Sequence, residues 1–261
     1  MKMSVMFVLL IAMFFASVAM SQQIDEQTLE PTTSPSKAPP SPSLKHVADD
    51  PKLPRVLLIG DSISMGYTLR VRELLKDKAN IVRPTTNCGP TSKAMTALDD
   101  WLTTANTSAP SDRPWDVIHF NFGLHDLKYV DDKGRTVTPA EGHQNVPPDQ
   151  YEKNLRELIK KLKSTGATLV WATTTPVPAG LPGHFPAEVD RYNEIAAKVM
   201  KDEGIAVDDL HAAVLPREAE LQIPANVHFH SAGCDVLAGE VAGSIEKALA
   251  GRAAVPQPTK P

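Results

Sequence analysis

A serine reached through a tight turn at the end of an apolar run is placed to act as a nucleophile, and this chain has one. Val56-Leu57-Leu58-Ile59 stops at Gly60-Asp61-Ser62, and a helical pattern with Leu69, Val71, Leu74 and Leu75 follows. Read as buried strand, turn and helix, the stretch exposes the Ser62 hydroxyl at the C-terminal edge of a sheet. Backbone N–H groups and the positive end of the helix point at the same spot, where an anion or a developing oxyanion is favoured. The tripeptide also has a plainer use, because Asp61 can cap the helix without any chemistry. Acyl transfer needs a base and oxyanion donors as well.

Of the eight histidines, His228 is the strongest candidate base. It lies in Asn226-Val227-His228-Phe229-His230-Ser231, just before the last helical pattern. His46 falls in a Pro-rich spacer, His119 inside a strand, and His143 and His184 in polar loops. For the oxyanion, the N–H of Ser62 is one donor. The N–H of Gly89 is a second, since glycine lets the backbone turn and approach closely. Asn121 or His125, near the end of the strand read over Trp115–Gly123, supplies a third, with Asp126 beside them. A rival chemistry is metal hydrolysis. His228 and His230 fall on one side of an extended segment, and His125 and Asp126 can add ligands. An HxH pair is a weak signal, and no metal is expected.

These residues need a scaffold that gathers loops from distant parts of the chain. Strands read near 56–59, 79–84, 115–123, 168–173 and 205–208 alternate with helices near 62–75, 92–102, 150–163, 187–203 and 232–250. Asp149 is placed to cap the third helix, with Gly166 and Gly204 as helix stops. The alternation predicts an α/β fold, one parallel sheet with helices on both faces. Such sheets bind ligands at the C-terminal ends of their strands. The segments Gly60–Ser62, Thr86–Thr91, Asn121–Asp126, Thr173–Pro178 and Asp208–His211 all fall there.

Around that domain the composition changes. Residues 1–21 read as a signal peptide: one Lys, an apolar run from Val5 to Val18 shorter than the ~20 residues a membrane span needs, then small residues. Export to the periplasm or outside the cell follows from it. Residues 22–54 are a Pro/Ser/Thr-rich spacer, 55–251 the folded domain and 252–261 a Pro-rich tail. No later apolar segment is long enough to span a membrane. The net charge of −4 comes with no dense basic patch, which argues against nucleic acid as a partner. Cys88 and Cys234 can form a disulfide after export, or remain two small buried thiols. Nothing sets the oligomeric state, for which monomer is the default.

Taken together, the blocks resemble the SGNH (GDSL-type) hydrolases, secreted bacterial SGNH esterases among them, over roughly Arg55–Leu249. Gly60-Asp61-Ser62 is similar to the first block, Gly89 in Asn87-Cys88-Gly89-Pro90-Thr91 to the second, and Gly123-Leu124-His125-Asp126 to the third. Val227-His228-Phe229 is similar to the fifth. The resemblance implies a flavodoxin-like three-layer α/β/α sandwich with a five-stranded parallel sheet. It implies Ser62 as nucleophile, His228 as base, no cofactor, and a small acyl ester as substrate, extending to acetyl groups on carbohydrates. Trp171, Tyr129 and His184 are the local hints of sugar contact. Two departures stand out. His125 replaces the third block's Asn. Ala225 stands where the fifth block has the Asp that orients the base. Asn226, a backbone carbonyl, Glu218, Glu220 or Asp235 is left to orient His228. An impaired, carbohydrate-binding domain is the alternative reading.

Overall fold

The computed structural model describes residues 41–45, 47–103 and 113–254. In chain order the strands are β1 (Arg55–Ile59), β2 (Asn80–Val82), β3 (Val117–Phe120), β4 (Tyr129–Val130), β5 (His143–Gln144), β6 (Thr168–Ala172) and β7 (Ala206–Asp208). The helices are α1 (Ser62–Leu74), α2 (Thr91–Thr103), α3 (Leu124–Leu127), α4 (Pro148–Ser164), α5 (Pro186–Glu203), α6 (Leu210–Val214), α7 (Glu218–Leu221) and α8 (Ser231–Ala254).

Val56-Leu57-Leu58-Ile59 is covered on both faces, as an unbroken apolar run in a parallel sheet must be. It forms the inner strand of a five-stranded sheet in the order β2-β1-β3-β6-β7, and every neighbouring pair is parallel. Helices α1 and α8 pack on one face; α2, α4 and α5 pack against one another on the other. The expected three-layer flavodoxin-like sandwich is therefore the fold. The chain winds outward from β1 to β2, then returns past β1 to β3. That reversal is a topological switch point at the C-terminal ends of β1 and β3, the place where such sheets bind ligands. Ser62 follows β1 there, and His125 follows β3.

Several local expectations are corrected. The buried face of α1 is Ile63, Ser64, Tyr67, Thr68 and Val71. Leu69 and Leu74 are exposed instead, because the turn at Ser62 fixes the rotation of the helix and turns small hydroxyl residues toward the sheet. Helix α4 starts after Pro147 with no side-chain cap, and Asp149 lies inside its first turn. The polar stretch after α3 carries the β4–β5 hairpin. Tyr129 N–H donates to Gly183 O at 2.8 Å and Gln144 Nε2–H to Glu188 Oε2 at 2.6 Å, which stitch the hairpin to the loop after β6 and to α5.

Residues expected as the end of the spacer pack on the domain. Ser43 is buried, Asp50 N–H donates to Asn80 Oδ1 at 2.8 Å, and Asp49 pairs with Arg55 Nε at 2.9 Å. Helix α8 extends past the expected end to Ala254. The signal peptide, the rest of the spacer, His46 and the tail beyond 254 lie outside the described residues. Among the described residues, no helix is long and apolar enough to cross a membrane.

Candidate active site

The turn that carries Ser62 is built around Gly60. A Cβ there would meet Ser64 Cβ and Oγ at 2.9 Å, so the close approach requires glycine. Asp61 caps α1, its Oδ1 accepting from Ile63 N–H at 2.9 Å. The plainer reading of Asp61 is thus the observed one. It also leaves Ser62 as the first helical residue, half-buried, with its hydroxyl outward.

The loop before α8 carries the candidate base. Gln222 and Phe229 form an isolated antiparallel bridge, and Ile223 N–H donates to His228 O at 2.9 Å. Gln222 Nε2–H donates to Pro176 O at 2.8 Å and Val227 O at 2.9 Å, fastening the loop to the end of β6. His228 Nε2 then lies 2.8 Å from Ser62 Oγ. His228 Nδ1 lies 2.6 Å from Asn226 Oδ1, which also accepts from the backbone N–H of His228 at 3.0 Å. That second contact fixes which end of the amide faces the ring, since its NH₂ would oppose a donor. The network therefore assigns the proton to Nδ1 and leaves Nε2 bare toward the serine hydroxyl.

Two of the other candidate orienters are paired elsewhere. Asp235 pairs with Arg70. Glu220 pairs with Arg217 at 2.6 Å. Asn226 takes the only polar atom of the ring that faces away from Ser62.

The oxyanion candidates fare unevenly. Gly89 has φ +65°, and its N–H donates to Asn87 Oδ1 at 2.9 Å. This donor therefore already holds an acceptor within its own loop. Asn121 is corrected: its Nδ2 donates to Ala172 O at 2.8 Å and Thr174 Oγ1 at 3.3 Å. It ties β3 to β6 and has no donor left for a ligand. His125 remains. Burial pulls its imidazole below the ordinary range; Asp61 opposes this, and Lys128, His184 and Lys93 add to it. Burial thus favours the neutral ring, a form with one N–H to give.

Asp126 supports the site from beneath. Its Oδ1 accepts from Thr91 N–H at 2.8 Å and Thr91 Oγ1–H at 2.5 Å, joining the third block to the second. Asp126 Oδ2 is buried without a partner. Burial, the largest cause, pushes the carboxyl up to about 7 from its ordinary 3.8, against the Thr91 hydrogen bonds. The folded state thus keeps a proton that the unfolded chain loses near pH 4. Stability should fall as pH rises from about 4 to 7, by a few kcal/mol at most, and level off above. Urea midpoints at pH 5 and 8 check this: the wild type drops, and Asp126→Asn, which cannot ionise, changes less.

Trp171 is corrected as a sugar contact. It is fully buried in the sheet, edge-on to Phe120 at 5.2 Å. Tyr129 packs edge-on to Phe185 at 5.7 Å in the stitched loops. His184 Nδ1–H donates to Pro182 O at 3.1 Å. His230 is exposed. Among the described residues, no three His, Cys, Asp or Glu side chains gather as a metal-holding group. Cys88 and Cys234 are free thiols, and burial pushes Cys88 up to about 11. One residue the sequence did not point to is Arg83. It is fully buried after β2 and donates to Gly60 O at 3.1 Å. A lone arginine after a short strand carries no motif, so no pattern could have found it.

A parallel sheet of this order with a Gly-Asp-Ser turn after its first strand is the architecture of the SGNH hydrolases. The chain belongs to the GDSL-like lipase/acylhydrolase family, whose model matches residues 58–236. Its fold is similar to that of the acetyl xylan esterase AlAXEase (18% identity, TM-score 0.57, covering 73% of this chain and 99% of that one). It is similar too to a lipase/acylhydrolase from Enterococcus faecalis (18% identity, TM-score 0.58, 74% and 96%). A third likeness is Axe2, an acetylxylan esterase from Geobacillus stearothermophilus (19% identity, TM-score 0.57, 74% and 94%). None of the curated proteins matches the chain by sequence.

Proposed function

We propose that the chain is an exported serine esterase that removes small acyl groups, acetyl above all, from carbohydrate. The observation that carries this reading is the Ser62–His228–Asn226 relay, with contacts of 2.8 and 2.6 Å, built on the turn that follows β1. Membership of an acylhydrolase family supports an ester as substrate. The acetyl xylan esterases among the structural neighbours and the signal-like 1–21 stretch support acetylated polysaccharide outside the cytoplasm.

The reaction runs as two successive acyl transfers. Ser62 Oγ attacks the acyl carbonyl while His228 Nε2 takes its proton. Asn226 Oδ1 holds the imidazolium that forms, through Nδ1–H. The oxyanion accepts from Ser62 N–H, from Gly89 N–H once Asn87 Oδ1 gives way, and from the His125 ring. His228 returns the proton to the leaving alcohol. Water then repeats the sequence on the acyl-enzyme and releases the acid. No step needs a cofactor.

A second reading, carbohydrate binding without turnover, draws on Ala225 at the usual Asp position and on the engaged Gly89 N–H. A fluorophosphonate probe separates the two. An esterase is labelled at Ser62, as located by peptide mass, and releases acetate from p-nitrophenyl acetate and acetylated xylan. A folded protein that takes no label and releases no acetate is the binding domain.

A further inference from the structure

The guanidinium of Arg83 reaches both halves of the candidate oxyanion site. Its Nη2 donates to Gly60 O at 3.1 Å and Thr86 O at 3.4 Å. These carbonyls open the Ser62 turn and the Gly89 loop. Its Nη1 donates to Ser64 Oγ at 3.0 Å and Thr68 Oγ1 at 3.1 Å on α1. Ser64 Oγ–H in turn donates to Asp61 O at 2.7 Å. The Asp61 carbonyl and the Ser62 N–H belong to one planar peptide unit. A hydrogen bond accepted at that oxygen draws electron density toward it, which makes the N–H a stronger donor and holds its direction.

We propose that Arg83 is a positioning residue: through the Ser64 hydroxyl it orients and polarises the peptide whose N–H, that of Ser62, receives the oxyanion. The proposal rests on the esterase reading. It accounts for two features that packing leaves unexplained. The face of α1 against the sheet carries hydroxyls at Ser64 and Thr68 where apolar side chains would bury more favourably. A cation also sits at zero exposure although burial works against its charge. Arginine suits the task because one planar fork serves Gly60, Thr86 and Ser64 together, which a single ammonium cannot do.

Four variants of the full protein test this: Ser64→Ala, Arg83→Met, Arg83→Lys and the Ser64→Ala/Arg83→Met double. Readouts are kcat and KM for p-nitrophenyl acetate, affinity for a boronic acid that mimics the tetrahedral intermediate, and thermal midpoint. Loss of a whole oxyanion donor costs about 100- to 1000-fold, so a weakened one should cost about tenfold. Ser64→Ala is expected to stay folded and lose about tenfold in kcat and in boronate affinity, with KM within about twofold. Arg83→Lys should behave like Arg83→Met, and the double variant should be no worse than Arg83→Met, since both substitutions cut one relay. Ser64→Ala with wild-type kcat and boronate affinity overturns the proposal, even if the Arg83 variants fail to fold. An active wild type that ignores Ser62→Ala removes the esterase reading, and the proposal with it.

Discussion

Ser62→Ala is expected to lower kcat for p-nitrophenyl acetate by about 10⁵- to 10⁶-fold, as loss of the nucleophile does when serine and histidine act as a unit. No neighbour can take over. The nearest hydroxyl, Ser64 Oγ, is buried and held between Asp61 O and Arg83. The fold should be indifferent to the change, because Asp61 and not Ser62 caps α1. A thermal midpoint near that of the wild type, beside a rate at background, is the expected pair of results. Residual turnover above about one part in a thousand would point to a different nucleophile.

Asn226→Ala is expected to cost about 100- to 1000-fold in kcat with a small effect on KM, in the range that proton transfer by a placed base contributes. In the serine-protease pattern, replacing the orienting Asp by Asn costs about 10⁴-fold because the histidine adopts the wrong tautomer. Here that penalty does not apply. The His228 N–H holds Asn226 Oδ1 toward the ring at 3.0 Å, so the amide supports the productive tautomer. Asn226→Asp keeps both contacts and places a charge beside the imidazolium; its kcat should match or exceed that of the wild type. Ala225→Asp should gain nothing, because Nδ1 already has its partner and residue 225 sits in a left-handed turn at φ +52°. Steady-state kinetics on the three variants separate these outcomes. A gain in Ala225→Asp would mean that the loop rearranges to the usual arrangement.

The fold and much of the site were legible because each rests on a local signal. The Val56–Ile59 run of β1 is apolar at every position, as a doubly covered strand needs, and Gly60-Asp61-Ser62 stops it at a point where the backbone must turn. His228 stood out by its place before the last helix. For the partner of His228 the sequence offered Asn226 among several candidates without deciding between them. Asn226 is two residues away, and its role depends on a loop closed by Gln222 and Ile223, whose pairing the residues do not announce. Asn121 misled for a related reason. An amide at a strand end can donate to a ligand or to the adjacent strand, and only the distance to Ala172 O decides. Leu69 and Leu74 matched a helical spacing, yet the rotation of α1 is set by the Ser62 turn. Arg83 left no trace in the sequence, since its value lies in carbonyls that come together only in three dimensions.

His228 follows Ser62 by 166 residues, on a loop that leads into α8, which packs along α1. A growing chain therefore holds its serine long before it holds its base. Until that loop closes, the Ser62 hydroxyl lacks its contact with His228, and the contact needs a costly long-range closure of the chain. On the esterase reading, recovery of activity during refolding should report the closure of the His228 loop and not the earlier collapse of the sheet.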